Sequence, residues 1–321
     1  MHINRGLLFW GLALVTAGVV SLAAQQNYVD RDTLAGAWRL WPLILIAIGL
    51  SIVLARTPFS ILGTITAALV LGIAGGAVVS VGPSFAVNCG GDDPVDLTTD
   101  SGAFDGDSAS VNLDFTCGTL VVGTADGSGW VARTGTTGDR EIRVRGDGDE
   151  LSIRSPEGGF GVDSGRQRWE VELGSDLTYE IDVSMNAGSS TFDLAGLHLA
   201  KLEVDPNAGD LFFDLSGATV DDFDFSMNAG NAEVLTDADT DIDGSLDMNA
   251  GSFKLCTDAS VGLRFTVNAN FTFSHNLDDR GLNESGDTWT SDNFDGAAHQ
   301  IVMRLGGNAA SFELNPEGGC S

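Results

Sequence analysis

The chain has 321 residues, a formal net charge of −29 and 43% hydrophobic residues. The charge is unevenly distributed: residues 1–82 hold four arginines and two aspartates, so the rest of the chain carries 12 basic and 43 acidic side chains. An acid excess of this size excludes sequence-independent binding to nucleic acid and to anionic lipid surfaces, because both need a basic patch. The acidic part is also too rich in Val, Leu, Ile and Phe to be disordered. At about 150 residues per domain, the length predicts two units.

Three strongly apolar runs lie within the N-terminal region that ends at Gly82. A helix of about 20 residues crosses the ~30 Å hydrocarbon core of a bilayer, and each run has roughly that length. The runs therefore predict transmembrane helices at about 7–24, 38–55 and 60–81. Together these helices form an N-terminal bundle of three transmembrane α-helices over residues 1–82.

The arginines orient this predicted bundle. Arg5 precedes the first run and Arg56 lies in the short link between the second and third runs. Because basic residues favour the cytoplasmic side, we expect a multi-pass protein of the cell membrane with its C-terminal domain outside the cytoplasm. Alternatively, the first run is a signal peptide that is cleaved near Ser21-Leu22-Ala23, which leaves the C-terminal domain outside as well.

The cysteine positions agree with this topology. The four cysteines lie outside the apolar runs, at Cys89, Cys117, Cys256 and Cys320. An even number in an external domain is typical of disulfides, and four cysteines allow three connectivities. Of these we favour Cys89 with Cys117 and Cys256 with Cys320. The spacing does not fit a zinc site, since no pair is C-x-x-C.

A short repeat dominates the acidic part. Met185-Asn186-Ala187-Gly188 recurs three times at a constant interval and then twice in degenerate form. A fixed period of about 21 residues is typical of repeat architectures. The repeat places one asparagine of each unit in a predicted structural column: Asn186, Asn207, Asn228, Asn249, Asn268 and Asn308.

Apolar and polar residues alternate on both sides of each asparagine, which indicates half-buried strands. Each repeat unit therefore contains strand, corner, strand and turn. Such units bury their apolar faces only by stacking, about 4.8 Å apart. We predict an all-β, extracytoplasmic, single-stranded β-solenoid at residues 107–321, with about 21 residues per coil and about ten coils in chain order. Residues 83–106, rich in Gly, Asp and Thr, are predicted to be a linker.

One segment resembles a calcium loop. Asp239, Asp241, Asp243 and Asp247 occupy ligand-like positions of such a loop, but Ala250 stands where its final glutamate belongs. The predicted strand register explains the same segment structurally. Calcium is thus the only metal that the sequence suggests, bound with low affinity at external turns. No other cofactor is expected.

Enzyme motifs are missing from the sequence. It has no Gly-x-Ser-x-Gly elbow, no His-Glu-x-x-His and no phosphate-binding Gly-x-x-x-x-Gly-Lys. Its acidic pairs are the expected surface of a solvated solenoid. We therefore expect a protein that is not an enzyme and has no catalytic residues.

Two apolar segments carry a resemblance to a known family. They are Arg5-Gly6-Leu7-Leu8-Phe9-Trp10-Gly11 and Trp41-Pro42-Leu43-Ile44-Leu45-Ile46-Ala47-Ile48-Gly49-Leu50. With the repeats after residue 111, they resemble the LiaF-like family of bacterial membrane proteins, in which an adhesin-like β-strand domain follows the transmembrane region. The resemblance implies a role in cell-envelope stress responses, typically by restraining a membrane histidine kinase.

Two functional hypotheses follow. In the first, the protein senses or regulates envelope stress through its external solenoid and its membrane helices, with a sensor kinase or another envelope protein as partner. In the second, it is an adhesin-like or scaffold protein whose solenoid mediates surface interaction or self-association. Both require a membrane, and neither involves nucleic acid.

Overall fold

The computed structural model describes residues 95–138, 140–156, 165–269 and 272–319, together with Val15 and Thr16. The chain divides into two compact units, Met1–Val87 and Asn88–Ser321. The two described residues of the first unit are helical. All strands described below belong to the second unit.

The second unit is built from β-strands that join into one sheet, with a single 3₁₀ turn at Phe294–Gly296 among its described residues. In chain order the strands are β1 (Thr98–Ala103), β2 (Ser108–Ala125), β3 (Gly129–Thr136), β4 (Arg143–Asp147), β5 (Glu150–Arg154), β6 (Gln167–Gly174), β7 (Thr178–Asp193), β8 (His198–Asp214), β9 (Thr219–Leu235), β10 (Asp241–Cys256), β11 (Gly262–Ala269), β12 (Ser274–His275), β13 (Asn283–Ser285), β14 (Thr288–Thr290) and β15 (Gln300–Leu314).

Six long strands form the centre of the sheet. They lie side by side in the order β2, β7, β8, β9, β10 and β15, and every neighbouring pair is parallel. From β7 to β10 the register advances by one sequence repeat per strand, so that Met227 lies opposite Met248. The sequence period is therefore the period of the stack.

Each central strand turns a corner at the same level of the stack, and in β7, β8, β9 and β10 this corner is an Ala-Gly pair. In β7 the buried positions before the corner are Ile181, Val183 and Met185, whereas Ser190 and Phe192 are buried after it. The parity of the inward-facing residues thus changes at the corner. Both arms of the strand consequently turn an apolar face to the same core.

Glycine occupies this corner in five of the six central strands, and Ala310 stands there in β15. The corner glycines Gly118, Gly188, Gly209, Gly230 and Gly251 have φ angles from +127° to +157°. This backbone region is open to glycine and strained for other residues. A Cβ at Gly230 would also collide with the carbonyl oxygen of Gly209 on the neighbouring strand. The corner is therefore set both by φ and by the close approach of stacked backbones.

The core is a column of apolar side chains along the stack. Phe192 and Phe213 stack with ring centroids 4.7 Å apart, and Phe225 meets Phe253 edge to face at 5.4 Å. All four are buried. Burying one such side chain contributes about 1.5–3 kcal/mol relative to leaving it exposed. The repeated inward phenylalanines thus hold adjacent strands together.

Both ends of the sheet depart from the repeat. At the N-terminal end β6 pairs with β2 in parallel, whereas β3 and β1 continue the sheet in antiparallel order. The antiparallel β4–β5 hairpin joins the other arm of β2 through β5. There the buried ring of Trp130 packs closely against Gly102 and Gly146, where no side chain would fit. Trp130 therefore closes this end of the core.

At the C-terminal end the strands do not follow chain order. β15 lies between β10 and β11, although β11 precedes it in the chain. Beyond β11 the sheet ends in the antiparallel strands β14 and β13. The prediction of about ten coils stacked in chain order was therefore wrong: six long strands form the described stack.

The predicted fold class needs a further correction. The described fold is all-β, and it shows no bundle of three transmembrane α-helices. In the part of the chain that the structure describes, no helix combines the length and the apolar character needed to cross a membrane. Apart from Val15 and Thr16, the predicted spans 7–24, 38–55 and 60–81 lie outside the described residues. The β-rich part of the prediction fits, although β1 falls within the predicted linker, residues 83–106.

Replacing Gly230 with alanine tests the corner. Because the new Cβ meets a backbone oxygen that cannot rotate away, we expect Gly230→Ala to lower the free energy of unfolding by at least about 2 kcal/mol. Urea denaturation followed by circular dichroism measures this. Gly123 has open space around its Cα and no positive φ, so Gly123→Ala is the matched control and should change stability by less than about 0.5 kcal/mol. Equal stability of the two variants would contradict the corner argument.

Candidate functional site

A ladder of asparagine amides runs along the outside of the corner. Nδ2 of Asn207 donates to Oδ1 of Asn186, Nδ2 of Asn228 to Oδ1 of Asn207, and Nδ2 of Asn249 to Oδ1 of Asn228, each at 2.9 Å. Nδ2 of Asn308 then donates to Oδ1 of Asn249 at 2.7 Å. Five of the six predicted column residues thus form one continuous chain of hydrogen bonds.

Asn268 is not part of this ladder. It lies opposite Gly306 of β15, two positions before the ladder residue Asn308. Because β15 takes the place beside β10, the ladder passes from Asn249 directly to Asn308. The sequence predicts that Asn268 stacks with the other five asparagines, but in the structure it lies outside their column.

Carboxylates form columns on the first arms of the central strands. Asp182, Glu203 and Asp224 lie opposite one another on β7, β8 and β9, and Asp205 lies two residues from Glu203. Lys201 is paired with Glu203 on the same strand. Partial burial, and then the charge of Glu203, raises the pKa of Asp182 and of Asp205. The columns thus bring several carboxylates close together, and these carboxylates repel one another.

A shallow groove of about 350 Å³ lies between these carboxylates and the amide ladder. Its lining is polar and repeats from strand to strand. The lining includes Asp114, Ser184, Asn186, Asp205, Asn207, Ser226 and Asn228. Such side chains can form hydrogen bonds with hydroxyl and amine groups. The described residues contain no group of three or more potential metal ligands.

The four calcium candidates are not brought together. Asp241, Asp243 and Asp247 lie on the outer side of the single strand β10, and Asp239 lies in the turn before it. At about 3.4 Å per residue, Asp241 and Asp247 are about 20 Å apart, too far to share one ion. The carboxylate of Asp241 already accepts hydrogen bonds from Nδ1 of His299 and from the backbone N–H of Gln300, both at 2.8 Å.

This contact with His299 was not predicted from the sequence. Nε2 of His299 is 3.9 Å from Oδ1 of Asp239. The hydrogen bond to Asp241, together with the charges of Asp241, Asp239 and Asp237, raises the pKa of His299 against the opposing effect of burial. His299 and Asp241 are distant in sequence and meet only through the pairing of β10 with β15, so no local sequence pattern predicts their contact.

Two of the cysteines are described. Cys117 and Cys256 are buried and each is disulfide-bonded. They lie on β2 and β10, which are separated by β7, β8 and β9, so they cannot be bonded to each other. Cys89 and Cys320 lie outside the described residues. The pairing of Cys89 with Cys117 and of Cys256 with Cys320 stays a prediction.

Two family models match the chain. Residues 8–53 match the LiaI-LiaF-like transmembrane region, and residues 92–237 match the N-terminal domain of toast_rack, DUF2154. The predicted resemblance to the LiaF-like family is thereby confirmed. Together the matches support a membrane-associated envelope protein.

Solved structures show a distant likeness. A proposed cell adhesion protein from Clostridium sporogenes is 12% identical with a TM-score of 0.41; the match covers 68% of this chain and 98% of that one. A proposed adhesin from Parabacteroides merdae is 10% identical with a TM-score of 0.21, covering 68% of this chain and 95% of that one. No curated protein matches the LiaF-like chain.

Replacing Asn228 tests the amide ladder. This residue makes two ladder hydrogen bonds, each worth about 0.5–1.5 kcal/mol, so we expect Asn228→Ala to cost about 1–3 kcal/mol in the free energy of unfolding. Asn268→Ala removes the same side chain from outside the ladder and should be nearly neutral. Urea denaturation of both variants measures the difference. A loss as large for Asn268→Ala would show that the ladder adds nothing.

The raised pKa of His299 predicts a dependence on pH. A group whose pKa is raised on folding stabilises the fold below its unfolded value of about 6.5, and this contribution is lost as the pH rises through the folded value. His299→Gln should therefore destabilise the protein more at pH 5.5 than at pH 8.5, as measured by urea denaturation. In an Asp241→Asn background the pH dependence of that loss should shrink. An unchanged loss across this range would refute the assignment.

Proposed function

We propose that the LiaF-like protein senses or regulates cell-envelope stress without enzymatic activity, with its β-domain outside the cytoplasm. The observation that carries this proposal is the presence in one chain of a LiaI-LiaF-like transmembrane region and a toast_rack N-terminal domain. A chain with these two parts can couple the envelope outside to a partner at the membrane. The partner that the family resemblance favours is a membrane histidine kinase.

The construction of the β-domain supports a role in binding and transmission. Its centre is one continuous parallel stack with an apolar core and an external amide ladder. Its described outer surface offers a shallow polar groove, whose side chains suit reversible hydrogen bonding. In a stack of this kind each strand packs against its two neighbours, so a contact made at one strand acts directly on the strands beside it.

Deleting the gene in the source bacterium tests the regulatory role. If the protein restrains a kinase, transcription of envelope-stress genes should rise several-fold without any stress, and the wild-type gene should restore the low level. The Gly123→Ala variant should restore it as well, whereas Gly230→Ala should fail if an intact β-domain is needed. Immunoblots of membrane fractions control for the amount of protein.

Unchanged basal and stress-induced transcription after deletion would refute the regulatory role. If surface attachment or assembly were lost at the same time, the result would favour an adhesin-like or scaffold protein instead. A protease-cleavable tag after Ser321 tests the location separately. Cleavage in intact protoplasts is expected, and cleavage only after lysis would place the β-domain in the cytoplasm.

A further inference from the structure

The β4–β5 hairpin carries a concentration of positive charge at the edge of an acidic sheet. Arg143 of β4 lies directly opposite Arg154 of β5, and Arg145 lies two residues along β4. Like charges in opposite positions of an antiparallel pair are destabilising. The three guanidinium groups line a concave space of about 240 Å³ together with Ser152, while Asp147 and Glu150 close its far end.

Two of these arginines have no acidic partner within the described chain. Arg145 and Arg154 are exposed, and no carboxylate of the described residues lies within ion-pair distance of either. Arginine on an edge strand often prevents unwanted strand pairing. This explanation covers Arg145 on β4, but Arg154 lies on β5, one strand inside the edge.

On the same side of the sheet, carboxylates of neighbouring strands lie close together and repel one another. Asp205 lies in the cross-strand row that runs from Arg154 through Asp114 and Ser184, and Asp224 lies in the row that starts at Arg145. Mutual repulsion among Asp182, Glu203, Asp205 and Asp224 contributes to the raised pKa values in this region. Lys201 pairs with Glu203 but does not cancel this repulsion, since the pKa of Asp182 and of Asp205 stays raised.

The arginines of β4 and β5 and the aspartates of β8 and β9 lie at positions that a two-fold axis between two copies would bring together. The strand order along this part of the sheet is β4, β5, β2, β7, β8, β9. A line midway between β2 and β7 is equally far from β5 and β8, and equally far from β4 and β9. A two-fold axis along this line, with two sheets face to face, brings Arg154 of one copy over Asp205 of the other and Arg145 over Asp224. Both contacts then occur twice.

We propose that this face of the β-domain binds a second copy of the same chain in a two-fold symmetric dimer. Two-fold dimers with self-complementary surfaces are the commonest protein assemblies. Charge complementarity suits this surface because, in the described β-domain, Val121 is the one large hydrophobic side chain that is exposed, at 38%. A surface with positive charge on β4 and β5 and negative charge on β8 and β9 matches an identical partner better than a uniformly anionic lipid surface. The dimer does not depend on the proposed role in envelope stress.

A charge-swap experiment tests the dimer in the full-length chain. Donor- and acceptor-labelled copies are reconstituted together in neutral phosphatidylcholine liposomes, and energy transfer between them is measured. Arg145→Glu with Arg154→Glu should weaken self-association at least about tenfold, and so should Asp205→Arg with Asp224→Arg. Energy transfer by the wild type should also fall as salt is raised.

Mixing the two double variants gives the decisive result. In the mixed pair the glutamates of the first variant face the arginines of the second, and the native arginines of the second face the native aspartates of the first. Every contact is then attractive again, so energy transfer should return to near the wild-type level. Arg168→Glu is the matched control, because Arg168 is exposed and paired with Glu170 on the other arm of the stack. This control should associate like the wild type. Circular dichroism of all variants verifies that they fold.

Three outcomes would overturn the proposal. The first is unchanged energy transfer in either double variant. The second is failure of the mixed pair when both variants are folded. The third is energy transfer that requires phosphatidylglycerol in the liposomes, which would identify anionic headgroups as the partner of the hairpin.

Discussion

The stacking of identical corners is the constraint on which the rest of the β-domain depends. From β2 to β10 the corner holds a glycine with positive φ, so close to the backbone of a neighbouring strand that no Cβ fits between them, as at Gly209 and Gly230. This close approach fixes the register, because a shift by one position would place an alanine side chain into a backbone. Once the register is fixed, inward residues fall on inward residues, and the phenylalanine column and the amide ladder follow.

The two columns stabilise the stack in different ways. The phenylalanines contribute through burial, which is non-directional and tolerates small shifts between strands. The amide ladder is directional: each asparagine must present Oδ1 to one neighbour and Nδ2 to the other. The ladder therefore favours one register among those that burial alone would permit. Because it lies at an exposed position, it also continues the polar surface of the groove.

The sequence predicts the centre of this domain well, because there the same signal is repeated at equal intervals. The inward positions around Met185 and Met227, the corner glycines and the ladder from Asn186 to Asn249 all follow from the constant period of the repeat. The ends are not periodic. The insertion of β15 between β10 and β11 reverses chain order through contacts that are distant in sequence. The repeat identifies Asn308 as a column residue, but no local signal shows that it stacks directly on Asn249 without Asn268, or that His299 bonds to Asp241.

The ends differ from the centre because a stack of parallel strands cannot simply stop. Its last strand would present unpaired backbone groups, which invite further strands from other molecules. Here the sheet is finished at both ends by short antiparallel strands, β1 and β4 at one end and β13 at the other, and Trp130 covers the core at the first end. Because β4 and β5 lie outside the repeat, they do not follow its acidic pattern and carry arginines instead. The sheet is thus positively charged at one end and negatively charged in the middle because the repeat has to end. This difference gives a second copy of the chain a surface of opposite charge to bind.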